Sequence, residues 1–90
     1  MKNILITGAT GGIGSALVKK FYDAGHNICA TGTASEKLKL LSEKYSERLK
    51  CIQCDLSKNE QIHNLAAQAK EKFGQIDILI NNAGITRDNL

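Results

Sequence analysis

The sequence predicts an α/β fold in which strands and helices alternate as β-α-β-α-β-α-β, forming a doubly wound parallel sheet. Three observations predict it. Short apolar runs of strand length recur along the 90 residues, and between them the apolar spacing turns helical. Four glycines, Gly8, Gly11, Gly12 and Gly14, separate the first run from the first helical stretch. The other informative turns, Gly32-Thr33, Asp55-Leu56 and Asn81 to Gly84, each follow a strand, so a parallel sheet gathers them on one edge.

The first strand is the apolar run Ile4-Leu5-Ile6, a pattern of burial on both faces. It breaks at Thr7-Gly8, and a strand, a glycine turn and a helix start in that order make a phosphate cradle. Glycine admits positive φ and lets a ligand approach with no Cβ in the way. The free N–H groups and positive dipole end of the new helix then face the anion. In that helix Ile13, Ala16, Leu17, Phe21 and Ala24 share one face, Ser15, Lys19 and Asp23 the other, and Gly25 stops it.

The second strand runs from Asn27 to Thr31, and Gly32, Thr33 and Ala34 form the next turn. Ser35 is placed to N-cap a helix whose Leu38, Leu41 and Tyr45 share a face. A third strand, about Leu49 to Cys54, ends in Asp55-Leu56-Ser57. Ser57 is expected to cap the following helix, with Glu60 completing a capping box, which leaves Asp55 for a ligand. That helix carries Ile62, Leu65, Ala66, Ala69 and Phe73 on its buried side and ends at Gly74. Ile76 to Ile80 form the fourth strand and lead into Asn81-Asn82-Ala83-Gly84. The expected strand order is 3-2-1-4, with a ligand across the carboxyl ends of strands 1 and 4, where the winding reverses.

Composition narrows the class. Residues 1–90 make a single domain, 42% apolar and 23% charged, as in ordinary soluble proteins. A scattered net charge of +3 reads as lysine-rich solvated helix faces and gives no footprint for nucleic acid. No stretch has the form of a signal peptide or membrane span, so the cytoplasm is the default. Cys29, Cys51 and Cys54 are an odd number in such a chain and read as reduced thiols. Cys51 and Cys54 form a C-x-x-C, but on a strand residues three apart point to opposite faces, roughly 10 Å apart. They therefore share neither a metal nor a strain-free disulfide. His26 and His63 are read as surface residues.

Thr7-Gly8-x-x-x-Gly12-x-Gly14, Asp55-Leu56 and Asn81-Asn82-Ala83-Gly84 resemble, in order and spacing, three motifs of the short-chain dehydrogenase/reductase family. The continuation from Gly84 to Leu90 (GITRDNL) is especially similar to bacterial 3-oxoacyl-[acyl-carrier-protein] reductases of fatty-acid synthesis. The resemblance covers the whole chain and implies a Rossmann-type fold. It implies that Gly8, Gly12 and Gly14 carry the pyrophosphate of a nicotinamide dinucleotide, with Ile13 near the nicotinamide half. Asp55 would accept from the adenine amino group with the Leu56 backbone beside it. Asn81, Ala83 and Gly84 would shape the end of the fourth strand beside the adenosine ribose, and Asn81 would tie that loop to neighbouring strands.

The choice of cofactor is read from the second strand. An NAD site offers a carboxylate about 20 residues past the glycines. Gly32-Thr33 stand there instead, and Glu36 is the first acid. Thr33 and Ser35 can donate to a 2′-phosphate and Lys37 adds positive charge, so NADP is expected ahead of NAD. Gly11 departs from the family pattern, in which many NADP-dependent relatives carry a basic residue. The catalytic serine, tyrosine and lysine of the family have no counterpart in the 90 residues, and Tyr22 and Tyr45 are expected on helices. The chain is therefore read as the N-terminal, cofactor-binding part of a truncated reductase. In the intact enzyme an acyl-carrier-protein thioester is the implied substrate and a homo-oligomer the implied assembly. The alternative is a non-catalytic dinucleotide-binding module that pairs its exposed fourth strand with a partner chain.

Overall fold

A computed structural model describes residues 1–83. Its elements are β1 (Asn3–Ile6), α1 (Gly12–Asp23), β2 (Asn27–Gly32), α2 (Ser35–Glu43), β3 (Leu49–Gln53), α3 (Asn59–Phe73) and β4 (Ile78–Ile80). The strands form one parallel sheet in the order β3-β2-β1-β4, as the alternation predicts. Register aligns Ile4, Leu5 and Ile6 with Ile28, Cys29 and Ala30 on one side and with Ile78, Leu79 and Ile80 on the other.

Two apolar clusters, one on each face, show the double winding. Ile4, Ile6, Ile28, Ala30 and Leu49 meet Val18 of α1 and Leu41 of α2. On the opposite face Leu5, Cys29 and Ile52 meet Leu65 and Ala69 of α3. The period of two along each strand thus supplies both cores at once. Cys51 packs toward α2, its thiol against Leu38 O, whereas Cys54 packs toward α3, its thiol against Gln61 O. All three cysteines are free, and the two of the C-x-x-C lie on opposite faces.

Several local expectations need correction. Ile13 and Ala16 are exposed, and α1 buries Gly14 and Val18 with Leu17 and Phe21 partly covered. The buried stripe is rotated because the first turn of α1 faces the glycine loop rather than the sheet. Ser35 does not cap α2. The N-cap is Ala34, with no side-chain bond, and Ser35 is already helical. Ser57 does not cap α3 either: the N-cap is Lys58, and no capping box forms with Glu60. Instead Gln61 reaches back, its Oε1 accepting from the Asp55 N–H at 2.7 Å. Ile62 and Ala66 are exposed, because α3 packs chiefly over β3 and leaves the flank toward β4 open. With Leu79, which is 60% exposed, they line an apolar groove of about 360 Å³. β4 begins at Ile78 rather than Ile76, since Asp77 turns its N–H to Asn3 O and its carboxylate to the Asn3 N–H.

The amino edge of the sheet is fastened by polar side chains. Asn3 Nδ2 donates to the carbonyls of Phe73 and Gln75, and Asn3 Oδ1 accepts from Asn27 Nδ2, joining β1 to β2 and to the α3–β4 turn. Arg48 donates to the carbonyls of Tyr22 and His26 and lies 3.9 Å from the centre of the Tyr22 ring. It thereby clamps the end of α1 to the start of β3. Among the described residues no helix is long and apolar enough to cross a membrane.

Candidate functional site

The opposite, carboxyl edge carries a cleft of about 520 Å³, walled by the turns that follow all four strands. The glycine loop forms one wall. Gly8 sits at φ 61°, and a Cβ there would stand 2.9 Å from Ala83 Cα, so the tight approach of the β1 and β4 turns requires glycine. Gly14 is required for a different reason. A Cβ there would clash with Gly8 O and lie 2.8 Å from Ala9 Cα. At Gly12, which also lines the cleft, an added Cβ meets nothing within 4 Å.

The N-terminus of α1 opens into the same space. Gly11 is its N-cap without a capping side chain, and the first helical bond runs from the Ser15 N–H to Gly11 O. The N–H groups of Gly12, Ile13 and Gly14 precede that bond and have no intrahelical acceptor. Ile13, 55% exposed, lies on the cleft wall beside them.

Thr31, Gly32 and Thr33 form the second wall. Their carbonyls are each fixed, by the Ala9 N–H (3.0 Å), the Cys54 N–H (2.9 Å) and Gln53 Nε2 (2.8 Å) in turn. Glu36 and Lys37 are exposed on the first turn of α2 and do not reach the wall.

Asp55, Leu56 and Ser57 supply the third wall. Asp55 Oδ1 accepts from Ser57 Oγ at 2.7 Å and from the Ser57 N–H at 3.0 Å. These bonds favour the charged form and hold the carboxyl below its usual range. The expected division of labour, Ser57 capping and Asp55 free, is therefore corrected: the two residues share one turn, and the described bonds engage Oδ1 alone. Burial, with Asp55 nearby, pushes the Cys54 thiol up, so it stands on the wall as a neutral group.

At the end of β4 the roles are redistributed among neighbours. Thr7 and Asn81 do not line the cleft. The Thr7 hydroxyl donates to Asn81 Oδ1 at 3.2 Å and accepts from the Ala83 N–H at 3.0 Å, bracing the loop from behind. Asn82, a residue to which sequence reasoning gave no role, is buried on the wall and donates to Gly8 O at 3.1 Å. Ala83 is on the wall, and Gly84 lies outside the described residues. Thr10 and Thr31 are further wall residues that sequence reasoning missed. The signal for Thr31 was the strand alternation that sets it two residues after Cys29, whereas nothing local distinguished Asn82 from Asn81.

The residues present suit a dinucleotide. Thr31 Oγ1 and Asn82 Oδ1 are buried polar atoms at the cleft without partners among the described residues, a state that costs free energy unless a ligand or water arrives. Open N–H groups at α1 suit phosphate, and the open space at Gly12 admits it.

Comparison with known proteins agrees with this geometry. The profile of the short chain dehydrogenase family matches residues 2–90. The chain is 39% identical over 89 residues to the 3-oxoacyl-[acyl-carrier-protein] reductase FabG of Haemophilus influenzae, covering 99% of this chain and 37% of that protein. It is 35% identical over 82 residues to the NADP-dependent 3-hydroxy acid dehydrogenase YdfG of Shigella flexneri, covering 91% and 33% respectively. The crystal structure of a 3-ketoacyl-(acyl-carrier-protein) reductase from Brucella melitensis, complexed with NADH, superposes with a TM-score of 0.83 at 27% identity. That superposition covers 87% of this chain and 32% of the Brucella one. The chain spans about a third of the length of the curated relatives it matches. With a family match over nearly its whole length and the strand order and glycine loop described above, the chain belongs to the short-chain dehydrogenase family.

Proposed function

We propose that the chain is the NADP(H)-binding portion of a short-chain oxidoreductase that reduces a 3-oxoacyl-[acyl-carrier-protein] thioester to its 3-hydroxy form. The observation that carries the reading is the cleft itself: four turns on one edge, with Thr33 on the wall and Asp55 the one carboxylate there among the described residues. An acid close to the second-strand turn would repel a 2′-phosphate; Thr33 offers a hydroxyl donor in its place.

In this reading Gly8, Gly12 and Gly14, with the open N–H groups of α1, hold the pyrophosphate, and Ile13 packs near the nicotinamide half. Thr33 meets the 2′-phosphate. Asp55 accepts from the adenine amino group through the carboxylate oxygen that Ser57 leaves free, with Leu56 beside it. Ala83 and Gly84 border the ribose, and Thr7 and Asn81 keep that border in place. The bound nicotinamide supplies a hydride. Polarising and protonating the ketone needs a positioned acid, and Tyr22 and Tyr45, packed together at the amino edge, are off the cleft. The chain alone is therefore expected to bind and orient without turnover. A homo-oligomeric, cytoplasmic enzyme is the setting this reading carries, and the three free thiols suit it.

Calorimetric titration of the 90-residue chain with NADPH and then NADH tests the reading. Saturable binding, tighter for NADPH, supports it. Equal or tighter binding of NADH overturns the NADP preference, and binding of neither overturns a self-sufficient site. The exposure of Ile78 (41%) and Leu79 (60%) favours a second reading, a binding module that pairs β4 with a partner chain. Sedimentation of the chain with bound NADPH separates the two: a stable soluble monomer speaks against obligate pairing.

A further inference from the structure

The turn that carries Thr33 is held in an unusual way. α2 has no capping side chain, so no side chain of its first turn ties the start of the helix to the chain leaving β2. Among the described residues, one side chain hydrogen-bonds to this turn: Gln53, the last residue of β3, whose Nε2 donates to Thr33 O at 2.8 Å. Gln53 pairs in register with Gly32, so its amide projects along the sheet edge one residue past the ladder. It is exposed and does not line the cleft, whereas Thr33 does. The main-chain bonds at Thr31 O and Gly32 O stop one residue short of Thr33. Gln53 extends the sheet's rigidity to the residue that contacts the ligand in the proposed function.

We infer that Gln53 is a positioning residue. By anchoring the Thr33 carbonyl it sets how well the cleft distinguishes dinucleotides with a 2′-phosphate from those without one. The inference rests on the proposed dinucleotide site, but concerns the ratio of two affinities rather than the existence of either. A hydroxyl held in place for a charged acceptor loses more from disorder than the shared contacts do, since hydrogen bonds to charged groups are the stronger kind. That difference falls on NADPH alone.

The test is Gln53→Met, which keeps length and removes the donor at an exposed position. Dissociation constants for NADPH and NADH are measured on the unsubstituted chain, Gln53→Met, Thr33→Val and the double variant. Gln53→Met is expected to weaken NADPH roughly 3- to 10-fold and NADH less than about 2-fold, a loss in the range of one net hydrogen bond. In the Thr33→Val background the same change is expected to leave the ratio unaltered, because the two residues act through one contact. A ratio unchanged by Gln53→Met, or shifted equally in both backgrounds, overturns the inference and shows Gln53 to be a general brace. An unsubstituted chain that binds neither dinucleotide overturns the cleft reading and this inference with it, and that outcome is seen before any variant is made. Amide exchange adds a ligand-free readout. Faster exchange at Leu38, whose N–H donates to Ala34 O, in Gln53→Met, with α1 unchanged, supports the anchoring, and unaltered exchange there overturns it.

Discussion

Gly14→Ala gives the sharpest test of the glycine loop, because local and tertiary physics predict opposite signs. Gly14 is the third residue of α1, and helix propensity alone makes alanine there more favourable by about 1 kcal/mol. The fold says otherwise. The new methyl would clash with Gly8 O and lie 2.8 Å from both Gly8 C and Ala9 Cα. All three are main-chain atoms, so no side chain can rotate away and the β1–α1 turn itself must move. Overpacking costs about 1–3 kcal/mol where neighbours can yield, and we take the upper end here. The net is a destabilisation of about 2 kcal/mol, which at about 4–8 °C per kcal/mol for a domain of this size lowers Tm by roughly 8–16 °C. Thermal and urea unfolding followed by far-UV circular dichroism measure it. Gly12→Ala is the matched control: its methyl meets nothing within 4 Å, so stability should hold or rise while dinucleotide affinity falls about tenfold. A Gly14→Ala chain as stable as the unsubstituted one would refute the packing argument and leave only the helix-propensity account.

Three further outcomes follow from the same structure. Arg48→Ala removes two hydrogen bonds to carbonyls and a cation–π contact at the amino edge, and should cost about 2 kcal/mol in urea unfolding. Because the cleft is on the other edge, NADPH affinity of the folded variant should stay within about twofold, and a tenfold loss by calorimetry would contradict the separation of edges. The Asp55 carboxyl, held down first by the Ser57 hydroxyl and then by the Ser57 N–H, should titrate below its ordinary 3.8 by NMR and move back up in Ser57→Ala. Its folded pKa is lowered, so this contribution to stability is present above the unfolded value and disappears as the pH falls through the folded one. Burial pushes the Cys29 thiol up to about 12, so at pH 8 a thiol reagent should leave Cys29 unlabelled in the native chain and label it in denaturant, read by peptide mass mapping.

Sequence legibility followed the range of the forces involved. The strand order was readable because alternation and turn placement leave one sensible winding, and Gly8 and Gly14 were readable because only a missing Cβ satisfies that turn. The caps were not. Ser35 and Ser57 are good capping residues by type, but one residue's φ and ψ decide who caps, and the chain enters each helix a step away, at Ala34 and Lys58. Asn82 was hidden for a similar reason: the end of β4 sends its side chain to Gly8 and that of Asn81 to Thr7, a choice made by strand alternation at a point where the strand is ending. Ile62 has the helical spacing of a core residue, yet periodicity gives the width of an apolar face and says nothing of what stands opposite its flank. Arg48 and Tyr22 are joined across 26 residues, beyond any local pattern.

The two edges of the sheet are built on different terms, and the difference bears on function. At the amino edge polar side chains fasten turn to strand: Asn3 to Phe73, Gln75 and Asn27, and Arg48 to α1. At the carboxyl edge the three helices of the described residues begin without a capping side chain, although a cap is worth about 1 kcal/mol and serines stand one residue away at two of them. Two buried polar atoms on that edge, Thr31 Oγ1 and Asn82 Oδ1, also have no partner among the described residues. A chain selected for stability alone would close these groups with its own side chains. Leaving them open makes physical sense where a ligand rich in acceptors and donors completes them on binding, which raises stability by mass action in proportion to how well it fits. The open N–H groups of α1, uncapped at Gly11 and lining the same cleft as Asn82, are the place where that completion would begin.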